Sequence, residues 1–228
     1  MSEFSGFPKE LLTFFKNLEK NNTQAWFNDH KKDYETFVKK PSSDFVIAMG
    51  EKLESIAPGI KAIPKVNQSL FRLNRDTRFS KDKTPYKTNM GIWFWEGDGK
   101  RMECSGFYFH LENSKLMLGA GIYMFPKHLI EAFRDAVVDP IRGGLLKKTL
   151  KNLEKNGYSP GGKHYKRIPR GYDADHENAD YLLFNGFHCG NETSIPKEFH
   201  TKELISYAFK EYKKMLPLHE WLRDSVVG

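Results

Sequence analysis

Apolar residues recur with a helical period along the first quarter of the chain. Pro8 suits the first turn of a helix, and apolar side chains then fall every three or four positions between Leu11 and Leu18. The same period returns twice before the Ala-Pro-Gly sequence at Ala57–Gly59, which is typical of a chain reversal. This pattern predicts three helices before residue 60.

The second and third of these helices have recognisable beginnings. Asn22 or Thr23 offers a side-chain cap for the second helix, and Pro41 suits the first turn of the third. The residues of the second helix that we expect to face inward are Trp26, Phe27, Tyr34 and Phe37.

The middle of the chain changes to a period of two, which is typical of strands. Ser69–Asn74 alternates loosely, and Asn89–Gly99 is rich in aromatic residues and ends in a Gly-Asp-Gly turn. The segments 105–112 and 115–125 flank a short turn at Asn113 and Ser114 and predict a hairpin.

The second half of the chain returns mainly to helical patterns. Helices are predicted after Pro126, between Pro140 and Gly157, and from about Thr201, while residues 181–196 predict one or two strands. Strands grouped between helical blocks indicate an α+β fold, with N-terminal helices, a central, mainly antiparallel twisted sheet and further helices packed on it. We find no linker or repeat and expect residues 1–228 to form a single domain.

Composition adds a bias toward anionic partners. The 228 residues are 39% hydrophobic, which excludes global disorder, and the net charge of +7 favours polyanions or small phosphorylated or carboxylated ligands. No apolar run is long enough to cross a bilayer and no secretory signal is visible, so we expect a cytoplasmic protein without a membrane partner. Cys104 and Cys189 are expected to be reduced core residues.

Positive charge is concentrated in the segment Phe71–Gly91. Residues 67–87 contain six basic and two acidic residues, and arginine forks grip phosphate or carboxylate oxygens in pairs. Pro85 would fix the position of the residues that follow it. The residues that we expect to bind an anion here are Arg72, Arg75, Arg78, Lys83, Tyr86 and Lys87.

The same segment has a structural interpretation. Arg75–Asp76 and Lys81–Asp82 would be local ion pairs on an exposed loop, or a buried Arg–Asp pair would brace the loop, instead of binding a ligand. The sequence leaves both interpretations open.

The basic segment also carries a family signature. Arg72, Arg75, Asp76, Arg78, Phe79, Lys83, Pro85, Tyr86 and Lys87 spell R-x-x-R-D-x-R-F-x-x-x-K-x-P-Y-K. This pattern resembles that of a bacterial and fungal family designated domain of unknown function 2461, and the similarity extends to Phe14–Glu35, the predicted hairpin and residues 167–183. The resemblance implies membership of the family and carries no reaction, cofactor or partner with it.

A second charged segment runs from Gly161 to Tyr181. Four basic residues precede four acidic ones, an arrangement that favours a segment folded on itself. The alternative is that Lys166, Arg167 and Arg170 join the first cluster around one anion, with Asp173 and His176 nearby as a base or as metal ligands. We predict neither a metal nor a cofactor, because no ligand spacing supports one.

Two further motifs are weaker. Tyr108 and His110 share one face of a predicted strand and would orient a ligand if that face lines a pocket. Gly119–Gly121 lies inside a predicted strand, which is the wrong context for a dinucleotide-binding loop.

Three function classes follow from these observations. The first is a binding protein with a basic concavity for a phosphorylated small molecule or a nucleic-acid backbone, in which Trp93, Trp95 or Tyr108 would stack on bases. The second is an enzyme acting on a phosphoester, with Tyr86 or His176 as the proton donor and Asp76 or Asp173 as the base. The third is a structural Arg–Asp network, with the function at a protein interface.

Overall fold

The computed structural model describes residues 3–227, in which helices dominate both ends of the chain. The α-helices are α1 (Lys9–Lys20), α2 (Gln24–Asp29), α3 (Lys31–Asp33), α4 (Lys40–Leu53), α5 (Lys127–Val138), α6 (Pro140–Lys155) and α7 (Leu204–Leu222). Tyr34–Lys39 and Arg223–Val227 are π-helical, and Ala179–Leu183 and Lys197–His200 are 3₁₀-helical.

The strands form one six-stranded antiparallel sheet. They are β1 (Ile60–Lys61), β2 (Asn89–Glu96), β3 (Gly106–Glu112), β4 (Lys115–Ile122), β5 (Gly161–Lys163) and β6 (Phe184–Ser194). Their order across the sheet is β1-β2-β3-β4-β6-β5. The predicted α+β class is confirmed.

The helix boundaries follow the caps that the sequence offers. Pro8 precedes α1, and the Thr23 hydroxyl caps α2 by accepting a hydrogen bond from the backbone N–H of Trp26 at 3.2 Å. Pro41 lies in the first turn of α4, as the sequence predicts, although the π-helix Tyr34–Lys39 leads into α4 without a break. The four aromatic residues expected to face inward here, Trp26 among them, are only half-buried.

The strand predictions hold for the hairpin and fail for Ser69–Asn74. Asn113 and Ser114 have φ angles of 49° and 58°, which is the geometry of a tight two-residue turn between β3 and β4. Ser69–Asn74 forms only isolated bridges, from Leu70 to Ile92 and from Asn74 to Tyr86. The predicted loop before residue 181 contains the short strand β5.

The described residues divide into two compact units that interleave along the chain. The first unit contains the residues up to Phe94, Tyr108–Met117 and Glu192–Lys210. Its core is an aromatic cluster in which the Phe45 ring of α4 lies 4.8 Å from the Phe109 ring of β3, between ring centroids. Phe109 of β3 therefore packs against α4.

The second unit contains Trp95–Phe107, Leu118–Asn191 and the residues from Glu211. The Phe133 ring of α5 packs against Phe187 of β6, with ring centroids 5.1 Å apart. Cys104 and Cys189 are both buried, as expected, and burial raises the pKa of the Cys189 thiol to about 12. Within residues 3–227, no helix combines the length and the apolar character that a membrane span requires.

A buried polar cluster holds α7 against the sheet in this second unit. His219 is fully buried, and its Nε2 lies 2.8 Å from the Glu96 carboxylate while its Nδ1 lies 3.0 Å from the Ser105 hydroxyl. Arg223 donates a second hydrogen bond to Glu96 at 2.9 Å. Ser105 is fully buried as well, so this serine, histidine and glutamate act as a structural network.

We expect Glu96→Ala to destabilise the protein by about 3–5 kcal/mol, because it strands a buried imidazole and the arginine that shares its carboxylate. Urea unfolding followed by circular dichroism measures the change. Glu192→Ala is the control, since Glu192 pairs with Lys115 on an exposed surface and little change is expected there. Equal effects of the two substitutions would contradict a structural role for the buried cluster.

Candidate functional site

One face of β3 leaves the core and lines a pocket of the first unit. Along the strand Phe107, Phe109 and Leu111 are buried, while Tyr108 is only half-buried because successive side chains of a strand point to opposite faces. The pocket has a volume of about 170 Å³. Its lining comes from α1, the π-helix, α4, β2, β3 and the Leu70–Leu73 segment.

The lining of this pocket is basic. Arg72, Lys87 and Lys39 contribute three positive charges, and no aspartate or glutamate is among the lining residues. Lys39 is neutralised in part by Glu35, whose oxygens lie 2.8 and 3.0 Å from its Nζ. Throughout residues 3–227, no carboxylate lies within ion-pair distance of Arg72.

Neutral donors complete the lining. Burial, together with the charge of Glu35, raises the pKa of Tyr34 to about 12, so its phenol stays protonated at neutral pH. The Asn89 side chain and the Tyr108 phenol also line the pocket. The pocket therefore presents cations and hydrogen-bond donors together, which is the chemistry that an oxyanion requires.

A hydrogen-bonded row continues from the pocket along β3. The Tyr108 hydroxyl lies 3.0 Å from Nδ1 of His110, and Nε2 of His110 lies 3.4 Å from a Glu112 oxygen. Asn89 donates to the other Glu112 oxygen at 3.2 Å. The face that the sequence assigned to Tyr108 and His110 thus begins at a pocket.

The basic segment reaches the pocket through a short antiparallel pairing. The backbone N–H of Arg75 donates to the Pro85 carbonyl, and that of Lys87 donates to Leu73, both at 2.8 Å. Leu73 is buried while Arg72 is exposed, as the alternation of a strand predicts. This pairing places Arg72 and Lys87 in one lining and leaves residues 76–84 as a loop.

Arg75 and Arg78 are engaged by carboxylates of this loop. Arg75 binds Asp82 and the hydroxyl of Thr84, and Arg78 binds Asp76 through two hydrogen bonds of 2.9 and 2.7 Å. Neither arginine lines the pocket. Ion pairs therefore brace the loop, but the partners differ from those expected, because Arg75 pairs with Asp82 instead of Asp76 and Asp76 pairs with Arg78.

Lys83 and Tyr86 also help to fix the conformation of the basic segment. Lys83 donates to the Thr77 carbonyl at 2.8 Å. Tyr86 is buried, its ring stacks on Phe27 at 4.4 Å between centroids, and its backbone exchanges two hydrogen bonds with the Asn22 side chain. Tyr86 thus fastens the segment to the N-terminal helices.

Comparison with known proteins bears on this segment and its surroundings. A family model described as conserved hypothetical protein (DUF2461) matches residues 10–221. The chain belongs to this family. The expected membership is confirmed, and the match spans both the pocket and the second charged segment. A comparison with curated proteins found no match.

In this DUF2461 member the second charged segment belongs to the second unit, whereas Arg72 and Lys87 belong to the first. Lys163 pairs with Asp180, so the segment does fold on itself as the sequence favoured. Among the residues described, Lys166, Arg167 and Arg170 are exposed and form no ion pair. That these three residues bind one anion together with the first cluster stays a prediction.

Asp173 and His176 form local turn contacts. An Asp173 oxygen accepts a hydrogen bond from the backbone N–H of Asp175 at 2.9 Å, and Nδ1 of His176 accepts one from Asn178 at 3.0 Å. Across residues 3–227, no group of three or more His, Cys, Asp and Glu side chains is placed to hold a metal ion.

The expected stacking role of two tryptophans is wrong. Trp93 and Trp95 are 6% and 4% exposed and belong to the core, because β2 is covered on both faces. Conversely, the sequence did not single out Tyr34, Lys39 or Asn89 as site residues. The signal for Tyr34 and Lys39 is the aromatic and basic face of the second helical stretch, on which Tyr34 is expected to face the core. Asn89 begins β2 and has no such signal.

We expect Arg75→Ala to raise the pKa of Asp82 from about 2 without restoring the ordinary value of 3.8, because the Thr84 backbone N–H, the largest cause of the shift, remains. A carboxyl NMR titration measures this. The stabilisation from this contact is present above pH 3.8 and is lost as pH falls through about 2. Arg78→Ala should leave Asp82 unchanged and raise the lowered pKa of Asp76 instead. An unchanged Asp82 in Arg75→Ala would contradict the assigned pairing.

Proposed function

We propose that this protein binds a phosphorylated or otherwise anionic small molecule in the pocket lined by Arg72 and Lys87. The observation that carries the proposal is that three basic side chains line this pocket without any lining carboxylate. A bound oxyanion would supply the missing negative charge and would accept hydrogen bonds from the donors around it. Arg72 is the principal ligand residue, because no internal ion pair competes for it.

The size of the pocket limits what enters it. Pockets for drug-sized ligands usually measure about 300–1,000 Å³, and this one measures about 170 Å³. The volume suits the anionic group of a ligand together with a small adjoining part. The Phe15, Leu70 and Phe71 side chains in the lining would contact the carbon atoms of that part.

We expect Arg72→Ala to weaken the binding of inorganic phosphate by about tenfold to hundredfold, since a hydrogen bond to a charged group contributes about 1.5–3 kcal/mol. Lys87→Ala should weaken it in the same direction. Titration calorimetry of the full chain at low ionic strength measures both affinities.

Arg78→Ala is the matched control for this measurement. It also removes an arginine from the basic segment, but Arg78 lies outside the lining and is 77% exposed in its pair with Asp76. Its phosphate affinity should therefore stay close to that of the wild type. Equal losses in Arg72→Ala and Arg78→Ala would show that only the general positive charge attracts phosphate.

A second candidate function rests on Phe79. This side chain is 95% exposed at the outer part of the loop 76–84, and the Arg78 guanidinium lies 5.8 Å from its ring centroid. Lys81 and Lys83 flank it. An exposed aromatic ring between cations is the arrangement with which proteins hold single-stranded nucleic acid, because the ring stacks on a base while the cations contact phosphates.

If this loop binds single-stranded nucleic acid, Phe79→Ala should weaken the affinity for a short DNA or RNA oligonucleotide about tenfold, because stacking on one base contributes about 1–3 kcal/mol. Fluorescence anisotropy over a salt series measures this, and affinity should fall steeply as salt rises. Tyr123→Ala is the control, since Tyr123 is also an exposed aromatic residue but lies outside the loop 76–84. No binding by the wild type at low salt would exclude the nucleic-acid function.

A protein-interaction surface and a cytoplasmic location, both expected from the sequence, are also proposals. A protein-interaction surface elsewhere would be compatible with the bracing role of Arg75 and Arg78, and a cytoplasmic location with the buried thiols. Catalysis on a phosphoester through Asp76 or Tyr86 has little support, because Asp76 is paired with Arg78 and Tyr86 is buried.

A further inference from the structure

Tyr108, His110 and Glu112 form a row with two distinct ends. The three side chains occupy alternate positions on one face of β3, which brings each within reach of the next. At one end the Tyr108 phenol lines the basic pocket. At the other end Glu112 lines a neighbouring groove of about 400 Å³ and is 44% exposed. The row thus joins the pocket to a surface that water reaches.

The chemistry of the row fixes the direction of its hydrogen bonds. An ionised carboxylate only accepts, so Nε2 of His110 must carry the proton that faces Glu112. Nδ1 then has a lone pair, which accepts the hydrogen bond of the Tyr108 hydroxyl. Asn89 fixes the carboxylate by donating to its second oxygen. A hydroxyl, an imidazole and a carboxylate in this order are how proteins activate a hydroxyl group.

The backbone beside the row leaves space for the phenol. A Cβ atom at Gly91 would lie 2.8 Å from the Tyr108 hydroxyl oxygen and 3.1 Å from the Phe71 ring. Glycine at this position of β2 therefore lets the hydroxyl lie against the strand beside Arg72 and Lys87.

We propose that Tyr108, His110 and Glu112 are a proton relay that exchanges a proton with the anion held by Arg72 and Lys87. This proposal rests on the proposed binding function. Its substrate class is a phosphorylated or carboxylated small molecule that carries an O–H or N–H group beside its anionic group.

The proton transfer balances without another reactant. The ligand gives its proton to the Tyr108 oxygen and keeps the electron pair, while the phenol proton moves to Nδ1 of His110. The resulting imidazolium donates its Nε2 proton toward Glu112, whose negative charge stabilises it. Glu112 passes the proton to water in the groove, and the reverse sequence protonates a ligand.

Other charged or titratable groups surround the two ends of the row. At the pocket they are Tyr34, Lys39, Arg72 and Lys87, and at the groove they are Lys16 and Glu19. None of them is an imidazole, so within this group His110 alone has a ring that can hold a proton on either or both of its nitrogens.

Sulfate tests the relay, because it keeps both charges near neutral pH and contributes no proton itself. Titration calorimetry in buffers of different ionisation enthalpy measures the protons taken up by the full chain per sulfate bound. We expect the wild type to take up as much as about one proton per sulfate bound, and its affinity to fall by up to about tenfold per pH unit over the pH range in which this uptake occurs.

The variants separate the relay from binding. His110→Gln should take up no proton, and its sulfate affinity should match that of the wild type at a pH high enough that the wild type itself takes up no proton. Tyr108→Phe should bind sulfate with reduced proton uptake, since the hydroxyl that connects the anion to His110 is missing. His128→Gln is the control, because His128 also lies near a carboxylate, that of Glu103, but outside the pocket.

The outcomes are distinct for the two proposals. Binding without proton uptake in the wild type, or equal uptake in His110→Gln, overturns the relay and leaves anion binding intact. Absence of binding in the wild type overturns the proposed function and the relay with it. If His110→Gln is unfolded by circular dichroism, the wild-type uptake and the ¹⁵N NMR shifts of His110 decide: Nδ1 protonated in the ligand-free protein contradicts the relay.

Discussion

The candidate site depends on the alternation of side chains along β3. One set of residues, Phe107, Phe109 and Leu111, is committed to the core, so the register of the strand is fixed by burial. Once that register is fixed, the opposite face of the strand must carry the side chains of Tyr108, His110 and Glu112. The hydrophobic core thereby positions polar chemistry that it does not itself contain.

The basic segment uses its charges for two purposes. Arg75 and Arg78 face carboxylates close by in sequence, and these pairs shape an exposed loop. Arg72 and Lys87 lie at the base of the loop, where antiparallel pairing of the backbone brings them into one lining. The signature residues therefore serve both a candidate binding site and a structural brace. The change from one role to the other lies where the backbone pairing ends.

Much of the fold could be predicted from the sequence, because its signals are local. Pro8, the Thr23 cap and the turn at Asn113 act within a few residues of themselves, and the structure places the elements that they bound as expected. Ser69–Asn74 was mistaken for a strand because its alternation is local, whereas a strand needs a long-range partner over its whole length. The site was harder to predict, since the helical Tyr34 and Lys39 meet Arg72 only through tertiary packing.

Gly91 couples the pocket to the sheet, although it has no side chain. Its place is opposite the Tyr108 oxygen, so even a methyl group there would compete with the phenol for the same volume. Alanine at position 91 would therefore force the end of the Tyr108 side chain, and with it the hydroxyl at the basic pocket, to move. The size of the side chain at position 91 thus sets where the hydroxyl of Tyr108 can lie.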